Sequence, residues 1–140
     1  LEAHTDGDLY VHFRDANVIA VGDAAAPHAD PVLAWYEGGW LGGRIDALKL
    51  LLALGDDQTR YVPGDGAPVT KVELKTELDA LETLFTRMSE SIRKGLTTED
   101  MQKANILADL PRTWADADRF VYDAHKGMWA HHNKLSHSIV

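Results

Sequence analysis

The strongest constraint on the fold is one apolar stripe in the segment between residues 70 and 95. Thr70 followed by Glu73 matches the capping box, which satisfies free backbone N–H groups at the start of a helix. Lys94 and Gly95 are typical of a helix end. The segment therefore predicts one long helix of about six turns that packs its stripe on a core. The apolar residues of the stripe alternate between spacings of four and three: Leu74, Leu78, Leu81, Phe85, Met88 and Ile92.

Two short strands are predicted in the first third of the chain. Residues 18–21 form a short apolar run that ends at Gly22, as in a buried strand. Residues 14–17 supply a turn between the two strands, so the pair is predicted to form a hairpin. With a sheet available to cover, the stripe of the long helix favours core packing over a coiled coil. Residues 8–13 alternate apolar and polar, which places three apolar side chains on one face: Leu9, Val11 and Phe13.

The middle of the chain predicts a loop, a helix and a third strand. Pro27 and Pro31 indicate a loop after the second strand. A helix that ends at Gly55 follows, and residues 59–62 form a strand that stops at the turn 63–66. The apolar residues of this helix recur at helical spacing: Ile45, Leu48, Leu51 and Leu52.

The remainder of the chain is predicted to be helical. One helix begins at Thr97 or Thr98 and runs to about Leu107, and another spans Asp116 to Lys134. No repeat or linker divides residues 1–140, so a single domain is expected. The face of the long helix opposite its stripe is predicted to be a solvated acidic surface that includes Glu73, Glu77 and Glu82.

The composition narrows the functional classes. A net charge of −8 argues against a nucleic-acid partner, because a phosphate-binding surface is basic. No run approaches the roughly 18 apolar residues of a membrane span, so no membrane partner is expected of this soluble chain. Its compartment stays open between periplasmic or secreted and cytoplasmic. The chain has no cysteine, so any metal would be held by His, Asp or Glu.

Three short strings combine His or Asp with turn residues at the ends of predicted strands. They are residues 4–8 (His-Thr-Asp-Gly-Asp), Gly22-Asp23 and residues 63–66 (Pro-Gly-Asp-Gly). Side chains at strand ends are held by rigid backbone, and the adjoining loops leave a metal an open coordination position. Each string alone also fits a turn or a cap. Their order and spacing together favour a metal site.

The order of these elements resembles the C-terminal half of metallo-β-lactamase-fold hydrolases. The matching order is His-Thr-x-Gly-Asp, strand, turn, strand ending in Gly-Asp, loop, helix, strand, Pro-Gly-x-Gly and long helix, over roughly residues 3–95. The resemblance implies an α/β fold, a small mixed sheet covered by helices on one face, which is half of an αββα sandwich. Residues 1–95 would form that half, and residues 96–140 a helical C-terminal extension. The uncovered face would expose apolar residues, including some of Leu9, Val11, Val18 and Ile19.

The resemblance also implies a ligand set. His4 matches a histidine ligand of the first zinc, and Asp23 matches the carboxylate that bridges two metals. Asp65 stands where the family usually has a histidine on the second metal. In that family, two metals about 3.5–4 Å apart share a hydroxide that attacks a carbonyl or phosphoryl centre. The carboxylate of Asp65 is a harder donor, which favours iron or manganese over a second zinc.

The resemblance is incomplete in one respect. The His-x-His-x-Asp-His motif, which supplies four further ligands and lies in the N-terminal half of family members, is absent from this sequence. We therefore expect a hydrolase of a small-molecule substrate that is complete only with that N-terminal half, and inactive as this chain alone. Zinc is expected in the complete enzyme. In the isolated chain, water would fill the open positions and a metal would bind only weakly, so this chain alone is expected to be metal-poor.

Two other classes of function stay open. The chain is also consistent with a non-catalytic domain that dimerises with a second copy through its exposed sheet face. A helical interaction module that uses the C-terminal helices is the third alternative. Loop residues at the mouth of the predicted site are candidates for a substrate pocket, or they only cover the core: His28, Trp35, Tyr36 and Trp40.

Overall fold

A computed structural model describes the backbone of residues 1–137 and the side chains of residues 1–132. The last part of the predicted extension, residues 138–140, lies outside the described residues. Within them the chain folds into a three-stranded sheet and four α-helices, so the predicted α/β class with a small mixed sheet is confirmed. The elements are β1 (Val11–Phe13), β2 (Val18–Gly22), α1 (Leu41–Leu54), β3 (Arg60–Pro63), α2 (Lys71–Arg93), α3 (Thr98–Lys103) and α4 (Ala117–His137).

The sheet has β2 at its centre. The strand β1 pairs with β2 in antiparallel orientation, as predicted for the hairpin, and β3 pairs with β2 in parallel orientation. A parallel pair needs a long crossover connection, which α1 supplies. The carboxyl ends of β2 and β3 therefore lie at the same edge of the sheet, and each ends in a segment predicted to bind metal.

The helices cover one face of the sheet. On that face His12, Ile19 and Tyr61 are paired across the strands, and Ile19 and Tyr61 are completely buried. Successive side chains along a strand point to opposite faces of the sheet. The buried Ile19 therefore lies on the covered face and is not part of the open face. The opposite face carries Val11 paired with Ala20, and Val11 is 45% exposed.

The long helix α2 follows the predicted stripe. Both hydrogen bonds of the capping box at Thr70 are present. Phe85 is half-buried, and Ile92 is exposed at the end of the helix. One hydrophobic cluster joins this stripe to the residues that α1 buries against the sheet. The buried members of the stripe are Leu74, Leu78, Leu81 and Met88.

Two elements are shorter than predicted. The strand β1 begins at Val11, because the Asp8 side chain accepts hydrogen bonds from the backbone N–H groups of His4 and Thr5 and holds this segment in a loop. The helix α3 ends at Lys103 instead of near Leu107. Asn105 adopts φ of 50°, a left-handed conformation that ends a helix.

Candidate metal centre

His4 and Asp23 lie together at the carboxyl end of β2. The Nδ1 atom of His4 is 3.7 Å from the Oδ2 atom of Asp23, although the two residues come from different loops. Donor atoms about 2.0–2.2 Å from one tetrahedral ion are separated by roughly 3.5 Å. The two side chains are therefore spaced as two ligands of a single ion. The His4 side chain is 29% exposed and that of Asp23 is 61% exposed, so the pair is open to solvent.

Asp8 fixes the loop that carries His4. Its carboxylate accepts hydrogen bonds from the His4 and Thr5 backbone N–H groups and, at 3.2 Å, from the Thr5 hydroxyl. It also lies 3.6 Å from Nδ1 of His4, and its side chain is only 10% exposed. Because most of its lone pairs are engaged within the loop, we assign Asp8 a positioning role. No role for Asp8 was predicted from the sequence, although its place at the end of the His-Thr-x-Gly-Asp string was a signal.

Asp65 lies in the exposed turn after β3 and directly follows Gly64, the residue that packs on Asp23. The preceding Gly64 donates a 2.9 Å backbone hydrogen bond to Gly22. Gly64 is packed so closely on Asp23 that an added Cβ would lie 2.3 Å from Oδ1 of that carboxylate. Across the described residues, no group of three or more His, Asp or Glu side chains is arranged to hold a metal. The structure thus brings His4 and Asp23 together without completing a three-ligand set with Asp65.

His28 bridges the loop after β2 to the turn after β3. Its Nε2 atom lies 3.0 Å from the carbonyl oxygen of Ala67. Its ring packs on Gly66, where an added Cβ would lie 2.3 Å from His28 Cδ2. Gly66 also has φ of 91°, which favours glycine. His28 therefore holds the two loops of the candidate site together.

Trp35 and Tyr36 flank the loop that carries His4. They lie in a 3-10 turn, Trp35–Glu37, with their rings edge to face at 5.7 Å. Glu37 ties this turn to the His4 loop by accepting a 2.9 Å hydrogen bond from the backbone N–H of Asp6. The two turns line a shallow depression of about 620 Å³, and Tyr36 is 71% exposed there. The residues that directly follow His4 in the chain, Thr5 to Gly7, form the other side of this depression.

Trp40 has a different environment from the other predicted pocket residues. It precedes α1, and its ring stacks on His131 of α4 with centroids 3.6 Å apart and an interplanar angle of 12°. Its ring also contacts Phe85 of α2 edge to face. Trp40 therefore joins three helices and does not line the depression at Trp35 and Tyr36.

A buried ion pair lies beneath the site. Arg44 of α1 is completely buried, and its Nη1 atom is 3.9 Å from Oε1 of Glu77 on α2. Burial lowers the pKa of Arg44, against the opposing charge of Glu77. Burial raises the pKa of Glu77, with the charge of Arg44 acting in the opposite direction.

The prediction that Glu77 is solvated is wrong, because the residue is only 5% exposed. Glu77 lies three residues after Leu74 and four before Leu81, which places it within the apolar stripe of α2. That spacing was a signal for its burial. Arg44 has the same spacing in α1, three residues after Leu41 and four before Leu48, but this spacing does not reveal that the two charges pair.

Neither the protein-family models nor the curated proteins compared with this chain match it. The family therefore stays a proposal that depends on the residues of the site. Among the residues that the structure describes, no helix combines the length and apolar character needed to cross a membrane.

Proposed function

We propose that this chain supplies one half of a metal-dependent hydrolase of the metallo-β-lactamase superfamily. The observation that carries the proposal is the 3.7 Å approach of His4 Nδ1 to Asp23 Oδ2 at the edge of the sheet. In this proposal His4 binds the first metal, Asp23 lies between two metals, and Asp65 faces the second. A bound metal pair would supply a hydroxide nucleophile for attack on a carbonyl or phosphoryl centre.

The remaining ligands are proposed to come from the N-terminal half of the same fold. One imidazole and one adjacent carboxylate are fewer than the three protein ligands of a catalytic zinc site. The missing His-x-His-x-Asp-His motif would complete the set. In this arrangement His4 and Asp23 hold and orient the metals, and the depression at Trp35 and Tyr36 receives a small-molecule substrate.

The open face of the sheet supports docking of that second half. It carries three exposed apolar side chains in and next to β1: Leu9 at 71%, Val11 at 45% and Phe13 at 53% exposure. An exposed apolar patch of this kind is typical of an interaction surface. A second sheet packed against it would form the inner layers of an αββα sandwich and would bring its loops to the carboxyl ends of β2 and β3.

The proposal is tested by titrating Mn²⁺ into the isotope-labelled chain while recording the amide spectrum. Mn²⁺ broadens signals near its site even when it binds weakly, so we expect the amide signals around His4 and Asp23 to be lost first. Asp23→Asn should abolish this local broadening. The matched variant Asp15→Asn, in the turn at the other end of β2, should retain it. Broadening that is absent, or that ignores Asp23→Asn, would refute metal binding at this edge.

The exposed side chains of β1 also favour a second candidate, a non-catalytic domain that self-associates through its sheet. In that case the chain is a metal-free dimer in solution, and Phe13→Lys separates it into monomers. Val72→Lys is the matched control, because Val72 is 75% exposed on α2, outside the sheet. Light scattering together with metal quantification on one sample distinguishes the candidates. A second polypeptide that co-purifies with one or two metal equivalents would support the hydrolase.

A further inference from the structure

The loop that begins with Asp23 is held by charged side chains. Residues 23–32 contain no helix or strand, yet several of them are buried against the core. Backbone N–H and C=O groups that leave water need hydrogen-bond partners, and a loop without regular structure must find them elsewhere. Here the partners are three charged side chains from three different parts of the chain: Arg44 of α1, Glu77 of α2 and Arg112 before α4.

Arg44 binds both ends of this loop. Its Nη2 atom donates to the carbonyl of Asp23 at 2.8 Å and to that of Val32 at 3.0 Å. Its Nη1 atom donates to the carbonyl of Ala24 at 3.0 Å. A guanidinium has several donors in a fixed planar arrangement, so one buried side chain sets the relative position of three carbonyls. A lysine at this position has neither that reach nor that geometry.

Glu77 and Arg112 hold the middle of the same loop. The Glu77 carboxylate accepts a 3.0 Å hydrogen bond from the backbone N–H of Ala26. Arg112 donates to the carbonyl of Ala26 at 3.3 Å and to that of Ala29. Hydrogen bonds to charged groups are the stronger ones in proteins, so the loop has little freedom between its ends. The position of the Asp23 backbone is therefore set by Arg44, and the rest of the loop by its two neighbours.

We propose that Arg44 is a positioning residue that acts on the Asp23 carboxylate through the backbone carbonyl of Asp23. The inference rests on the proposed metal site and adds to it a residue that touches no metal. Arg44 donates a hydrogen bond to the Asp23 carbonyl, and Gly64 packs against the Asp23 carboxylate. Together these contacts direct the carboxylate towards His4. Arg44 is thus a supporting residue behind a ligand, of the kind whose loss typically weakens metal binding by about 10- to 100-fold.

A purely electrostatic role for Arg44 has the opposite consequence. The charges of Asp8 and Asp23 act on Arg44, so the buried cation and the site carboxylates lie within each other's field. A fixed positive charge beneath the site repels a divalent cation. Removing it would tighten metal binding, whereas removing a positioning residue weakens it. The sign of the change in affinity separates the two roles.

The experiment is a Mn²⁺ titration of the whole chain and its variants, followed by amide line broadening. Arg44→Met removes the charge and the donors, and Arg44→Lys keeps the charge but replaces the planar, forked set of donors with a single ammonium group. Positioning predicts that both variants weaken Mn²⁺ binding at His4 and Asp23 by about tenfold or more. Met88→Ala is the control for lost stability, because Met88 is fully buried in α2 about three turns beyond Glu77, and it should bind Mn²⁺ as the wild type does.

Each outcome decides the inference. If Arg44→Met fails to fold, Arg44→Lys and amide hydrogen exchange of Ala24 and Ala26 in the wild type still test it, since a held loop requires slow exchange there. Unchanged or tighter Mn²⁺ binding in Arg44→Lys would overturn the positioning role while leaving the metal site intact. A wild-type chain without local broadening, or with broadening that persists in Asp23→Asn, would overturn the metal site and this inference together.

Discussion

Asp23 occupies the space that any side chain at position 64 would need. Its Oδ1 atom lies 2.3 Å from where a Cβ on Gly64 would stand, so the turn after β3 limits the positions open to this carboxylate. Contacts this short do not occur between real Cβ atoms and oxygen, and one of the two residues would have to move. The contact between Gly64 and Asp23 joins the ends of β3 and β2, so a substitution at Gly64 tests the position of the Asp23 carboxylate directly.

Gly64→Ala is expected to displace the Asp23 carboxylate and weaken Mn²⁺ binding by about tenfold or more, as the loss of a supporting contact does. Gly7→Ala is the matched control, because the nearest atom to its added Cβ is 3.8 Å away. Both variants are measured by amide line broadening during a Mn²⁺ titration. Equal affinity in the two variants would show that the Asp23 position is not limited by the turn after β3.

Asp8→Ala should destabilise the chain, because Asp8 holds the loop that carries His4. It removes the acceptor for the part-buried backbone N–H groups of His4 and Thr5, and an unsatisfied buried donor costs about 1–3 kcal/mol. Asp6→Ala, in the same loop but exposed, should change the free energy of unfolding much less. Urea unfolding gives the free energies. A loss in Asp8→Ala no greater than that in Asp6→Ala would contradict the positioning role of Asp8.

Local patterns account for the parts of the fold that were predicted. The apolar stripe from Leu74 to Met88 and the capping box at Thr70 are contained within one helix, so sequence spacing alone reveals them. The proximity of His4 and Asp23 could also have been predicted from the sequence. In an antiparallel hairpin the start of the first strand lies beside the end of the second, so the loop before β1 lies near the end of β2.

The buried charges could not be assigned in the same way. Arg44 lies on the apolar face of α1, three residues after Leu41 and four before Leu48, but this spacing does not distinguish a buried guanidinium from one that extends along the face to solvent. Its burial depends on Glu77 and on carbonyls of the 23–32 loop, which only the tertiary arrangement brings together. Asp65 shows a different limit. Its turn after β3 was predicted correctly, but among the described residues Asp65, His4 and Asp23 do not form a three-ligand group.

Glu77 should make stability depend on pH with a definite sign. Burial raises the pKa of its carboxyl above the ordinary value of 4.5 in the folded chain, so the folded state binds this proton more tightly than the unfolded state. The resulting stabilisation is fully present below pH 4.5 and is lost as the pH rises through the folded pKa.

Glu77→Gln cannot titrate and serves as the reference for this effect. From about pH 4.5 towards neutral pH, the wild type should therefore lose stability relative to Glu77→Gln. Urea unfolding of both proteins across this range measures the difference in the free energy of unfolding. A difference that is constant, or that moves in favour of the wild type as the pH rises, would contradict the assigned shift.

Asp65→His restores the residue type that the proposed family carries at this position. If the turn after β3 faces a second metal, an imidazole there should tighten Zn²⁺ binding by about tenfold, because nitrogen suits zinc better than a lone carboxylate does. Asp57→His is the control, since Asp57 is also exposed but lies before β3, at the opposite end of that strand. Zn²⁺ titration calorimetry compares the two variants with the wild type. If both histidines tighten Zn²⁺ binding equally, the gain is that of any exposed imidazole. If only Asp65→His does, the turn after β3 belongs to the metal site.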